Sequence, residues 1–122
     1  MLVIDKMSRV PIYEQIEEGI KREIALGILK PKDQLPSIRE LSVILSTNPN
    51  TVQKAMMSLD CAGIIVSNQG RGSFVAEDAK ERIKDSLGVK LDEIKTLAFV
   101  LKDAGVSEKE IMDVVKSVYK SE

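Results

Sequence analysis

Only three residues, Ser46-Thr47-Asn48, separate two stretches that each carry their own helix-start signal. The first opens at Ser37, where Ser37-Ile38-Arg39-Glu40 has the form of a capping box. The Ser37 hydroxyl can accept from the Glu40 N–H while the Glu40 carboxylate accepts from the Ser37 N–H. Ile38, Leu41, Ile44 and Leu45 are spaced to face inward, so the sequence predicts a short helix over 37–45. The second opens at Asn48-Pro49, a favoured N-cap followed by a residue whose missing N–H costs nothing in a first turn. Val52, Ala55, Met56 and Leu59 give this second helix, over 49–61, one apolar face, and Gly63 ends it. Two short helices joined so tightly read as a helix-turn-helix.

The flanking segments complete the pattern. Ile12, Ile16, Ile20 and Ile24 recur every four residues after Pro11, which predicts a helix over 11–26 stopped by Gly27. Residues 28–36, with Pro31 and Pro36, form a loop or a short extended piece. Ile64-Ile65-Val66 and Ser73-Phe74-Val75 are short β-type runs around the glycine-rich turn Asn68-Gln69-Gly70-Arg71-Gly72, which predicts a hairpin where a wing would sit. Residues 77–104 carry a helical apolar stripe with Gly88 as its one weak point. Ser107-Glu108-Lys109-Glu110 caps a last helix with Ile111, Val114, Val115 and Val118 on one face. The expected architecture is mainly α with a small β-hairpin. Residues 1–76 form a winged helix-turn-helix and residues 77–122 a two-helix tail.

Composition removes most other functions. The chain has no histidine, hence no Ser-His-Asp or Cys-His site and not the commonest transition-metal ligand. No acidic pair sits in a recognisable motif and there is no phosphate loop, so no catalytic residue, metal or cofactor is expected. Aromatic residues make up 3% of the chain, which makes the core aliphatic. The lone Cys61 is expected as a small helix residue near that core, and it leaves no intramolecular disulfide. No apolar run approaches the roughly 18–20 residues that cross a bilayer. With no signal-peptide pattern either, the expectation is a cytoplasmic protein without a membrane partner. Residues 1–76 hold nine Lys or Arg against eight Asp or Glu, so bulk charge does not argue for nucleic acid.

Placement argues for it instead. The second helix of a helix-turn-helix enters the major groove with its N-terminal residues nearest the base edges. Here those residues are Asn48, Asn50, Thr51, Gln53 and Lys54, on the face opposite Val52, Ala55, Met56 and Leu59. Asn and Gln pair bidentately with adenine, Thr meets base edges or a thymine methyl, and Lys reaches guanine or phosphate. Arg39 lies in the first turn of the preceding helix, and Arg71 stands between Gly70 and Gly72 on the hairpin tip, suited to a minor groove. Each feature has a plainer reading: a solvated helix face, a simple cap, a solubilising turn charge. Their order along one chain favours double-stranded DNA.

The motifs Leu35-Pro36-Ser37-x-Arg39-Glu40-Leu41-Ser42, Asn50-Thr51-Val52-x-Lys54-Ala55, Leu59-x-x-x-Gly63-Ile64-Ile65 and Gly70-Arg71-Gly72-Ser73-Phe74-Val75 resemble the N-terminal domain of GntR-type bacterial regulators. The run Asn48 to Lys54 and the short tail resemble the family's YtrA-like branch, in which two C-terminal helices replace a large effector domain. The resemblance puts DNA-contacting positions at Ser37, Arg39, Asn48, Pro49, Asn50, Thr51, Gln53 and Gly70-Arg71-Gly72. Many members have Arg where this chain has Pro49 and Gln53, so base reading shifts to Asn50, Thr51, Gln53 and Lys54, and the family's operators do not transfer. The resemblance also implies repression.

The tail is too small to bury much core alone, so its stripe needs a partner surface. Docking on the chain's own first domain is one solution. A second subunit is the other, and the resemblance favours it. The residues expected at such an interface are Ile83, Leu87, Leu91, Ile94, Leu97, Leu101, Ile111, Val114, Val115 and Val118. A homodimer would read an inverted repeat with two-fold symmetry. No motif identifies a small-molecule effector, and a pocket for one would have to form between helices or subunits. The competing function is a winged-helix adaptor that docks another protein.

Overall fold

Ile16, Ile20 and Ile24 all turn inward on α1 (Ile12–Ala25), the first helix of the computed structural model, which describes residues 2–121. Their four-residue spacing makes one face of this helix wholly apolar. That face packs on α3 (Pro49–Cys61), whose Val52, Ala55, Met56 and Leu59 are buried against it. Between them α2 (Ile38–Ile44) contributes Leu41 to the same core, with Ile38 and Leu45 half-buried beside it. Ile44, expected inward, is 60% exposed. At about 100° per residue the buried arc of α2 runs over Leu41, Ile38 and Leu45, and Ile44 lies outside it.

Local signals fix the helix ends. Both bonds of the Ser37 capping box form, the Ser37 hydroxyl accepting from Glu40 N–H and Glu40 Oε1 from Ser37 N–H, each at 3.1 Å. Asn48 caps α3 by accepting from Asn50 N–H at 2.8 Å, with Pro49 in the first turn. At its other end Gly63, with φ of 76°, donates to Asp60, and Ile64 N–H reaches back to the Leu59 carbonyl. This is the Schellman arrangement, and it directs the buried Ile64 into the core. Cys61, expected near the core, is exposed: it lies two residues, about 200°, around the helix from buried Leu59.

The hairpin consists of β1 (Ile65–Asn68) and β2 (Gly72–Val75), antiparallel, with Ile65 opposite Val75 and Asn68 opposite Gly72. Ile65 and Val75 anchor its base in the core. The segment before α2 turns at Lys32, whose φ is 70°, and then pairs with the free edge of β2 through a bridge between Gln34 and Phe74. Lys32 N–H donates to Val75 O, Val75 N–H to Asp33 O, and Leu35 N–H to Ser73 O.

The stripe after Ala76 is not one helix. It divides into α4 (Ala79–Ser86) and α5 (Gly88–Asp103), with Gly88 opening the second rather than weakening the middle of one. Ala79 and Ile83 are buried in the same cluster as Ile16 and Val52, so Ile83 belongs to the core of the first unit and not to an exposed face of the tail. Residues to Asp85 form that first unit, and residues from Ser86 form a second. In the second unit α5 is followed by α6 (Glu108–Lys120), capped by Ser107 and Glu110. Neither helix has a fully buried residue. Leu87, Leu91, Ile94, Leu97, Leu101, Val114, Val115 and Val118 are all exposed, and Ile111 is half-buried. No helix among the described residues is long and apolar enough to cross a membrane.

Candidate nucleic-acid interface

Burying Val52, Ala55, Met56 and Leu59 turns Asn50, Gln53 and Lys54 to the opposite, exposed side of α3. The side chains of Asn50 and Gln53 make no hydrogen bond among the described residues, so their carboxamides keep full donor and acceptor capacity. Asn48 has its Oδ1 committed to the cap, leaving its amide group as donor. Thr51 is half-buried, and Pro49 is exposed but offers no N–H. The Lys54 ammonium lies 3.9 Å from the centre of the Tyr13 ring on α1. Met57 shares the exposed face at 59% exposure; methionine at helical spacing reads as core, which hides this position in the sequence.

Ser37 serves the capping box through its hydroxyl, and two residues on, in the first turn of the same helix, Arg39 is exposed, its guanidinium unpaired among the described residues. On the hairpin, Gln69, Gly70 and Arg71 form the loop, closed by Arg71 N–H donating to Asn68 O. Gly70 and Gly72 have φ of 80° and 109°, a region costly for residues with a Cβ. Gly72 also permits a close approach, since a Cβ there would stand 2.9 Å from Gln34 Nε2. That nitrogen donates to the Arg71 carbonyl at 3.0 Å and so ties the wing tip to the segment leading into Ser37 and Arg39. Gln34 is a positioning residue that the sequence did not disclose, because its partner lies 37 residues away. The guanidinium of Arg71 itself has no partner among the described residues and projects from an exposed loop.

The tie at Gln34 joins wing and α2, and the three-residue turn joins α2 and α3. Arg39 and Arg71 keep free donors, and Asn50 and Gln53 keep free carboxamides. Charged forks suit phosphate, and unpaired carboxamides suit base edges.

Known proteins share this chain's sequence pattern and fold. Residues 12–75 match the family described as bacterial regulatory proteins, gntR family. The HTH-type transcriptional repressor YtrA of Bacillus subtilis is 39% identical over 119 residues, covering 97% of this chain and 92% of that protein. A GntR family transcriptional regulator from Listeria monocytogenes superposes with a TM-score of 0.76 at 31% identity, over 93% of this chain and 98% of that one. AraR(DBD) in complex with operator ORX1 superposes at 0.55 with 32% identity, over 62% of this chain and 93% of that one. The chain belongs to the gntR family of bacterial regulatory proteins, and its α2–turn–α3 corner and hairpin are a winged helix-turn-helix of that family.

Proposed function

We propose that this protein is a sequence-specific DNA-binding repressor that acts in the cytoplasm as a homodimer on an inverted-repeat operator. The observation that carries the reading is the exposed face of α3, where Asn50 and Gln53 keep unpaired carboxamides while the opposite face is buried. In this reading Asn50, Gln53 and Lys54 read base edges, with Thr51 beside them. Ser37, Arg39 and the amide of Asn48 hold the phosphate backbone, and Arg71 on the Gly70–Gly72 tip enters the minor groove. The repressor and operator complex among the similar proteins support it.

The dimer rests on the second unit. Its exposed Leu91, Ile94, Leu97 and Val114 make an apolar surface of the kind that marks an interaction site. A second copy covers it with two-fold symmetry and spaces two recognition helices for two half-sites. The DNA-binding unit extends through Asp85, and α5 and α6 form the dimerising part.

Footprinting the purified protein on DNA upstream of its own gene tests this reading. Protection of an inverted repeat, lost in Arg39→Ala and Arg71→Ala, is the expected result. Unchanged binding by both variants would remove the contact assignment. The near-balanced charge of residues 1–76 favours a protein-docking role instead, and that role predicts no salt-dependent binding to duplex DNA.

A further inference from the structure

Residues 5–10 belong to no helix or strand and are all exposed, yet they form one braced loop. Gln15 on α1 clamps it from within, accepting from Asp5 N–H at 2.8 Å and donating to the carbonyls of Asp5 and Val10 at 2.9 and 2.8 Å. Met7 N–H donates to the Asp5 carboxylate, Ser8 N–H to the Asp5 carbonyl, and Val10 N–H to the Ser8 hydroxyl. Fixing a backbone costs about 1–2 kcal/mol per residue. No side chain buried in this loop offsets that ordering, so core packing does not explain it.

The loop's reach beyond α1 gives the clue. Lys6 Nζ donates to the Ser46 carbonyl at 2.8 Å, across 40 residues of sequence. Ser46 opens the turn that leads into the Asn48 cap of α3 and holds a left-handed φ of 49°. The Lys6 ammonium thus stands at the border of the recognition element. It has three donors, and Ser46 takes one. Arg9, in the same loop, has no hydrogen bond or ion pair among the described residues. The one carboxylate in the loop, Asp5, is engaged by Met7 N–H.

We infer that the 5–10 loop is a second backbone clamp, in which Lys6 and Arg9 neutralise phosphates beside the turn of the helix-turn-helix while Arg71 grips from the wing. The inference rests on the DNA-binding reading above and adds the N-terminal loop to it. Each phosphate neutralised by a protein cation contributes about 0.9 to the slope of log affinity against log salt, whatever the base sequence.

The test is affinity for the footprinted duplex and for an unrelated duplex of equal length, across a salt series, using the full chain. Arg9→Ala is expected to weaken binding several-fold on both duplexes, lower the slope by about 1, and leave the melting temperature unchanged. Lys6→Ala, Arg9→Ala together should lower the slope by about 2, while Lys6→Arg keeps the wild-type slope. A wild-type slope in both Arg9→Ala and the double variant overturns the clamp while leaving the repressor reading intact. A wild-type protein with no salt-dependent duplex binding overturns both.

Discussion

The Lys54 ammonium sits 3.9 Å from the centre of the Tyr13 ring, a contact that joins the recognition helix to the start of α1. The ring's negative face attracts the cation and holds this exposed lysine of α3 in place. Tyr13→Leu is expected to lower unfolding free energy by about 1 kcal/mol, the scale of an exposed cation–π contact. Tyr13→Phe keeps the ring and should stay within a few tenths of wild type. Urea unfolding of the two variants decides it; equal losses would mean that the ring face does not matter.

The same tyrosine reports on its neighbours. Its hydroxyl donates to Glu14 Oε1 at 3.3 Å. The Glu14 carboxylate, foremost by its charge and then by that hydrogen bond, raises the phenol above its ordinary 10.0. Slight desolvation and the charge of Glu17 act in the same direction. A raised folded value means that fold stability is unaffected below pH 10 and falls as pH rises from there through the folded value, where the phenolate would face the Glu14 charge. Ultraviolet titration should therefore show this phenol ionising above pH 10, and Glu14→Gln should bring its midpoint down. No change in that variant would assign the shift elsewhere.

Gly63 closes α3 at a φ of 76°, and a Cβ there would meet the Arg82 guanidinium at 2.8 Å. The arginine end can move aside, but the backbone cannot. Gly63→Ala should thus cost about 1–2 kcal/mol, visible in thermal melts. A variant as stable as wild type would show that the cap relaxes freely.

Ile83 is 5% exposed and packs with the core of the first unit. Ile83→Ala is expected to destabilise the protein by about 2–5 kcal/mol. It should leave the mass of the assembly unchanged in sedimentation. Loss of mass without loss of stability would return this residue to the subunit interface. By the same logic, a chain ended after Ala76 should melt below one ended after Asp85, because the shorter one lacks Ala79 and Ile83.

What the sequence disclosed was local chemistry. Ser37-x-x-Glu40 and Asn48-Pro49 act within one turn of chain, so the starts of α2 and α3 were legible residue by residue. The apolar spacing of α3 likewise told its buried face from its exposed one. What it hid was pairing at a distance. Lys32 to Leu35 become a strand-like edge only because β2 returns some 40 residues later, and Gln34 and Lys6 find their partners 37 and 40 residues away. Residue type also misled where angle decides. Cys61 is apolar enough for a core but lies on the wrong side of α3, and Ile44 falls outside the narrow arc that a seven-residue helix presents. Ile83 fits a tail stripe by spacing, yet the break at Leu87 assigns it to the first unit.

The most direct measurement compares affinities for the footprinted operator and for an unrelated duplex, in wild type, Asn50→Ala and Gln53→Ala. If the exposed face of α3 reads bases, each substitution weakens operator binding by about 1–3 kcal/mol and leaves affinity for the unrelated duplex unchanged. Equal affinity for the operator in all three proteins, or an equal loss on both duplexes, would contradict it.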